Sequence, residues 1–111
     1  METATRKIDD ILIIEPKGKL MGGPESASLK ELLQDNIDQG QIKFIIDLAK
    51  VNWMNSSGLA VLISALKTIR NSGGELFLAN ISEKIQSILV ITKLAPVFKT
   101  CDSLDEAISS F

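Results

Sequence analysis

Three short apolar runs, Ile11-Leu12-Ile13-Ile14, Phe44-Ile45-Ile46 and Leu76-Phe77-Leu78, constrain this chain more than any other feature. Each is too short for a helix and is rich in residues that suit a pleated surface. The first reads as a strand covered on at least one face, the other two as interior strands. A stretch with helical spacing follows each of them. Pro24 to Gly40 carries Leu29, Leu32, Leu33 and Ile37 on one face and Lys30, Glu31, Gln34, Asp35 and Asp38 on the other. Leu59, Leu62, Ile63, Leu66 and Ile69 form a stripe that Ala60, Val61 and Ala65 widen, which predicts a largely buried helix ended by Asn71-Ser72-Gly73-Gly74. Ser82 is placed to cap a third helix with Ile85, Ile88 and Leu89 inward, ending before Pro96.

The remaining segments complete the pattern. Arg6 to Ile8 and Ile11 to Glu15 flank Asp9-Asp10 as a tight hairpin, with Pro16 and Gly18 loosening the end of its second strand. Val51 to Met54 is a short extended piece, and Val97 to Cys101 a short last strand. Ser103 and Glu106 make a capping-box pair that opens a terminal helix with Leu104, Ala107 and Ile108 inward. Strands alternating with helices predict an α/β fold, a mostly parallel mixed sheet of about four to five strands with an N-terminal antiparallel hairpin and about four helices. At 111 residues without repeat or linker, the expectation is a single domain over 1–111.

Composition narrows the function. With no His and one Cys, Cys101, the common zinc constellations, intramolecular disulfides and His-based catalytic triads are excluded. Twelve basic against fourteen acidic residues give a charge of −2, the wrong sign for a nucleic-acid footprint. Aromatics are 5% with no Tyr, which argues against base-stacking platforms. The N-terminal segment has no apolar run flanked by basic residues, and the longest nearly apolar stretch, Leu59 to Leu66, falls far short of the ~20 residues a membrane span needs. An unpaired cysteine fits a reducing cytosol. The chain is expected to be cytoplasmic, with no direct nucleic-acid contact, no membrane insertion, no metal and no cofactor.

The informative segment is Asp47 to Leu62. In an open α/β sheet, ligands and partners meet the loops at the carboxyl ends of the strands. Here such a loop ends in Asn55-Ser56-Ser57-Gly58 ahead of a helix, where free N–H groups and the helix dipole favour negative charge. On the simplest reading Asn55, Ser56 or Ser57 is the helix N-cap. On the functional reading a hydroxyl carries a phosphate, which could accept those N–H groups without disrupting the helix. Small residues, Gly58 and Ala60, leave room for another backbone to approach. Trp53 is either an interface anchor or packed on the adjacent helix, and Met21-Gly22-Gly23 is either a partner-contacting loop or a connector. Cys101 reads as a small apolar residue at a strand end.

Ile45-Ile46-Asp47-Leu48 and Trp53-Met54-Asn55-Ser56-Ser57-Gly58-Leu59, with Gly18-Lys19-Leu20 before them and Leu94 to Ala107 after, resemble a STAS domain. More narrowly, the chain is similar to the stand-alone bacterial anti-sigma factor antagonists, over essentially its whole length. The resemblance implies that Ser56 is a phosphoacceptor, with Ser57 and Gly58 shaping the loop and Leu59 anchoring the helix; the candidate partner-binding residues are Asn55, Ser57, Gly58, Met21, Gly22 and Trp53. It implies a non-catalytic switch: the protein binds an anti-sigma factor serine kinase and so frees a sigma factor, phosphorylation turns it off, and a serine phosphatase restores it. Two positions depart from the family pattern, Asn55 and Met21, where Asp is common. The alternative is an assembly subunit of a stress-signalling or lipid-transport complex. A small phosphotransfer enzyme is a third reading, against which the absent His and the position of Cys101 both argue.

Overall fold

The computed structural model describes residues 2–21 and 23–111. Strands β1 (Glu2–Ile8) and β2 (Ile11–Leu20) form an antiparallel hairpin, with Asp9 taking a positive φ of 55° in its turn. The chain continues through α1 (Pro24–Asp38), β3 (Lys43–Asp47), β4 (Val51–Met54), α2 (Ser56–Asn71), β5 (Glu75–Ala79), α3 (Glu83–Ile91), a 3-10 turn (Ala95–Val97), β6 (Lys99–Cys101) and α4 (Leu104–Ser109). The sheet order is β1-β2-β3-β5-β6, and β2, β3, β5 and β6 run parallel. The expected α/β architecture is present, with six strands and four helices among the described residues. The strand beyond the expected number is β4, which pairs in parallel with the end of β2.

That pairing explains why β2 outlasts Glu15. Ile14 is the last residue of β2 registered with β3, and Gly18 is the first registered with β4. Pro16 falls in the gap between these partners, where a missing N–H leaves no ladder bond unmade on that side. Gly18, at φ 97°, sits at the register shift where β4 joins, a conformation that costs glycine little. Val97 belongs to the 3-10 turn and not to β6, and α3 stops at Ile91, with Thr92 as its C-cap and Lys93 at φ 61°.

Alternation along the strands divides the core in two. Leu12, Ile14, Phe44, Ile46, Leu76 and Leu78 lie in one buried cluster with Leu29 and Leu33 of α1, Leu62, Leu66 and Ile69 of α2, and Ile85 and Leu89 of α3. Ile11, Ile13, Ile45, Ala79 and Cys101 lie on the other face with Ala107 of α4. At its margin the Phe77 and Phe111 rings meet edge to face, 4.7 Å between centroids. The residues read as continuous apolar strands are therefore covered on both faces, the condition under which a parallel sheet is stable.

Candidate functional site

Because β2, β3, β5 and β6 are parallel, their carboxyl ends at Leu20, Asp47, Ala79 and Cys101 share one edge of the sheet. At that edge Asp47, only 7% exposed, is held by two donors. Its Oδ1 accepts from Ala49 N at 3.0 Å and from Asn80 Nδ2 at 2.9 Å. Asn80 adopts φ 56°, a left-handed conformation Asn tolerates better than most residues. The two bonds brace the turn after β3 against the end of β5 and aim the chain into β4.

From Met54 the chain enters α2 at once. Asn55 is the N-cap, with extended backbone, and its Oδ1 accepts from Gly58 N at 2.8 Å. Its carbonyl accepts from Leu59 N at 2.9 Å. Asn55 thus engages the third and fourth amides of the helix and leaves those of Ser56 and Ser57 free of it. No acidic residue lies in the first turn, so nothing on the helix itself offsets the positive end of its dipole. Ser56 and Ser57 are exposed and stand in the first helical turn. The sequence reading placed them, with Gly58, in a loop ahead of the helix. The helix begins three residues earlier than the apolar stripe suggests, because Asn55 supplies the cap.

Gly58 is buried against the end of β2. A Cβ there would overlap the Leu20 carbonyl oxygen and stand 2.6 Å from its carbonyl carbon and 3.1 Å from Met54 Cγ. Asn55 N donates to the same Leu20 oxygen at 3.4 Å. The room left by Gly58 is therefore filled by this chain's own backbone. Ala60 is exposed.

Of the residues assigned to partner binding, Asn55 and Trp53 are half-buried, Ser57 is exposed, Met21 is 43% exposed and Gly58 is buried. Gly22 lies outside the described residues. Met21 and Trp53 line a shallow shelf with Lys19 and Asn52, two residues the sequence reading missed. The signal was available for Lys19, since period-two alternation places it opposite to Leu20. Asn80 was also missed, and nothing in its local sequence ties it to Asp47, 33 residues earlier. Among the described residues no group of His, Cys, Asp and Glu could hold a metal ion, and no helix is long and apolar enough to cross a membrane.

The family model described as STAS domain matches residues 2–107. The chain belongs to the STAS domain family. Among its relatives, a Thermotoga maritima protein named "Putative anti-sigma factor antagonist" is 31% identical over 102 residues, spanning 90% of this STAS chain and 88% of the relative. The anti-sigma-B factor antagonist of Bacillus subtilis is 35% identical over 69 residues, 62% of each chain. A crystal structure of a Thermotoga maritima "putative anti-sigma factor antagonist" superposes with a TM-score of 0.87 at 28% identity, covering 97% of this chain and 92% of that one. The unphosphorylated form of SpoIIAA superposes with a TM-score of 0.75 at 15% identity, covering 98% and 96%, and shows a shared fold. The regulatory names of these relatives agree with the resemblance carried by the Asn55 to Leu59 motif.

Proposed function

We propose that this chain is a phosphorylation-switched anti-sigma factor antagonist, a single STAS domain over 1–111 that acts by binding and not by catalysis in the cytoplasm. Ser56 is its phosphoacceptor. The observation that carries the reading is the exposed Ser56 hydroxyl at the first position of α2, on the serine that the antagonist motif assigns. Unphosphorylated, the protein holds a serine-kinase anti-sigma factor and frees a sigma factor. In the switching step Ser56 Oγ attacks the γ-phosphorus of ATP, the bond to the bridging oxygen breaks, ADP leaves, and the hydroxyl proton goes to a base of the kinase. A serine phosphatase reverses the modification by hydrolysis.

The first helical position suits such a switch. A phosphate adds about −1.5 to −2 charges and three acceptor oxygens at pH 7. At a helix N-terminus these meet free N–H groups and the positive end of the dipole, so the fold persists while the binding face changes. Incubation with the kinase and ATP followed by peptide mapping should find phosphate on Ser56 and none on the Ser56→Ala variant. Phosphate confined to Ser57, or none with a kinase that binds the protein, rejects the assignment. A chain that elutes only within a stable multiprotein particle would favour an assembly subunit over an exchanging switch.

A further inference from the structure

The two faces of the sheet are covered unequally. Helices α1, α2 and α3 cover the face that carries Leu12, Ile14 and Leu20. On the other face α4 packs against β3, β5 and β6, and Ile11 and Ile13 of β2 are buried in its cluster. Past Ile13 the same side of β2 carries Glu15, half-buried, then Lys17 and Lys19, both exposed; Leu20, back in the core, keeps the alternation. The exposed Arg6 of β1, registered with Ile13, joins them, its Nε 3.0 Å from Glu15 Oε1. Lys50, in the turn before β4, brings Nζ to 3.9 Å from Glu15 Oε2. The half-buried Trp53 is registered with Lys19. This face is therefore a stretch of open sheet beside a raised helix.

Its two halves carry opposite charge. Arg6, Lys17, Lys19 and Lys50 are four of the chain's twelve basic residues. Against them the open half sets Glu15, shared by Arg6 and Lys50, and Glu2, in register with Lys17. Residues 102–111, which form the helix half, include Asp102, Asp105 and Glu106, all exposed, and no basic residue. Leu104, Ala107 and Ile108 pack on the sheet, which leaves Asp105 and Glu106 on the outer side of α4. Lys99 of the neighbouring β6 is engaged by Glu75 at 2.8 Å.

We propose that this face pairs with a second copy of the chain. A two-fold axis along the border between the halves lays α4 of each copy on the open sheet of the other. Like then meets unlike at both contacts, which is the self-complementarity that an isologous interface requires. Shape agrees with charge, since the ridge of α4 enters the recess beside its counterpart and covers Trp53. In a molecule 34 × 31 × 23 Å across, one face is of the order of the roughly 800 Å² per partner that an ordinary interface buries. This pairing is independent of the antagonist reading. Helix α2, which Ser56 opens, packs on the opposite face, so both hydroxyls stay accessible in the pair.

Sedimentation equilibrium of the full chain, from about 10 μM to about 1 mM and in about 50 and about 300 mM salt, is the test. The wild type should dimerise reversibly, with a dissociation constant that rises about tenfold or more between the two salts. Lys17→Glu with Lys50→Glu, and separately Asp105→Lys with Glu106→Lys, should each be monomeric where the wild type pairs, because each gives the two halves the same sign. An equimolar mixture of these two variants should pair again, since unlike halves then meet at both contacts. Asp105 and Glu106 also suit the positive end of α4. Circular dichroism checks the fold of each variant, and the milder pair Asp105→Asn with Glu106→Gln should weaken the dimer about threefold or more. A wild type that stays monomeric at the highest concentration in low salt overturns the proposal, as does a mixture of folded variants that fails to pair. Dimers that survive in both charge-reversed variants would belong to another surface, such as the edge strand β1, and overturn it too.

Discussion

The amide of Gly58 donates to Asn55 Oδ1 at 2.8 Å, and that bond sets where α2 begins and therefore where Ser56 stands. Asn and Asp cap helices comparably. Asn55→Ala should destabilise the fold by about 1 kcal/mol, within a range of about 0.5–2. Urea denaturation measures it; an unchanged midpoint would show that the cap bond contributes nothing net.

Asn55→Asp keeps the acceptor and adds a charge at the positive end of the dipole, so stability should hold or rise by about 0.3–1 kcal/mol. It also supplies the carboxylate that the resemblance to the antagonists leads one to expect at this position, and phosphorylation of Ser56 should accelerate. A slower variant whose deficit shrinks at high salt would mean that repulsion of the incoming phosphate outweighs orientation of the kinase.

Gly58→Ala places a methyl group on the Leu20 carbonyl oxygen. Backbone is the obstacle, so the start of α2 must move away from β2. The expected cost is about 1–3 kcal/mol. Chemical-shift changes should spread to Leu20 and Met54, and phosphorylation of Ser56 should slow although Ser56 itself is unaltered. Wild-type stability for this variant would contradict the packing described here.

Asp47→Ala removes the acceptor shared by Ala49 N and Asn80 Nδ2. Ala49 is exposed and Asn80 half-buried, so the freed donors can meet water and the expected cost is that of ordinary hydrogen bonds, about 0.5–1.5 kcal/mol each. Hydrogen exchange at Ala49 should quicken, and the turns after β3 and β5 should loosen together. If exchange quickens at only one of them, the brace does not couple the two strands.

Far from the site, Glu75 supplies a pH signature. Burial pushes its carboxyl up, but the hydrogen bond from Lys99 Nζ at 2.8 Å, the Leu76 amide and the charges of Lys99 and Arg70 outweigh it. Its pKa lies below the ordinary 4.5. A carboxyl lowered on folding adds stability that is present above its unfolded pKa and is lost as pH falls through the folded one. Wild type should therefore exceed Glu75→Gln in stability near neutral pH, by a modest amount because the pair is open to water. The gap should close in acid below 4.5, and a gap independent of pH would assign the effect to packing.

The local sequence determined the elements and the family. Period-two and helical spacing are local properties, so the strand at Phe44–Ile46, the stripe from Leu59 to Ile69 and the caps at Ser82 and Ser103 were all legible before any folding. The Asn55 to Leu59 motif was legible for the same reason. The tertiary structure decided what depends on residues distant in the chain. Four residues at Val51–Met54 are extended in sequence terms, and they become a strand only because the end of β2 offers a free edge. Gly58 looked like general room for a neighbour, and only the fold names that neighbour as Leu20. The Asp47–Asn80 bond and the pairing of Lys19 with Trp53 belong to the same class. Spacing within one element follows from backbone geometry that every chain shares, whereas contacts between elements depend on register and on the loop closures that bring them together.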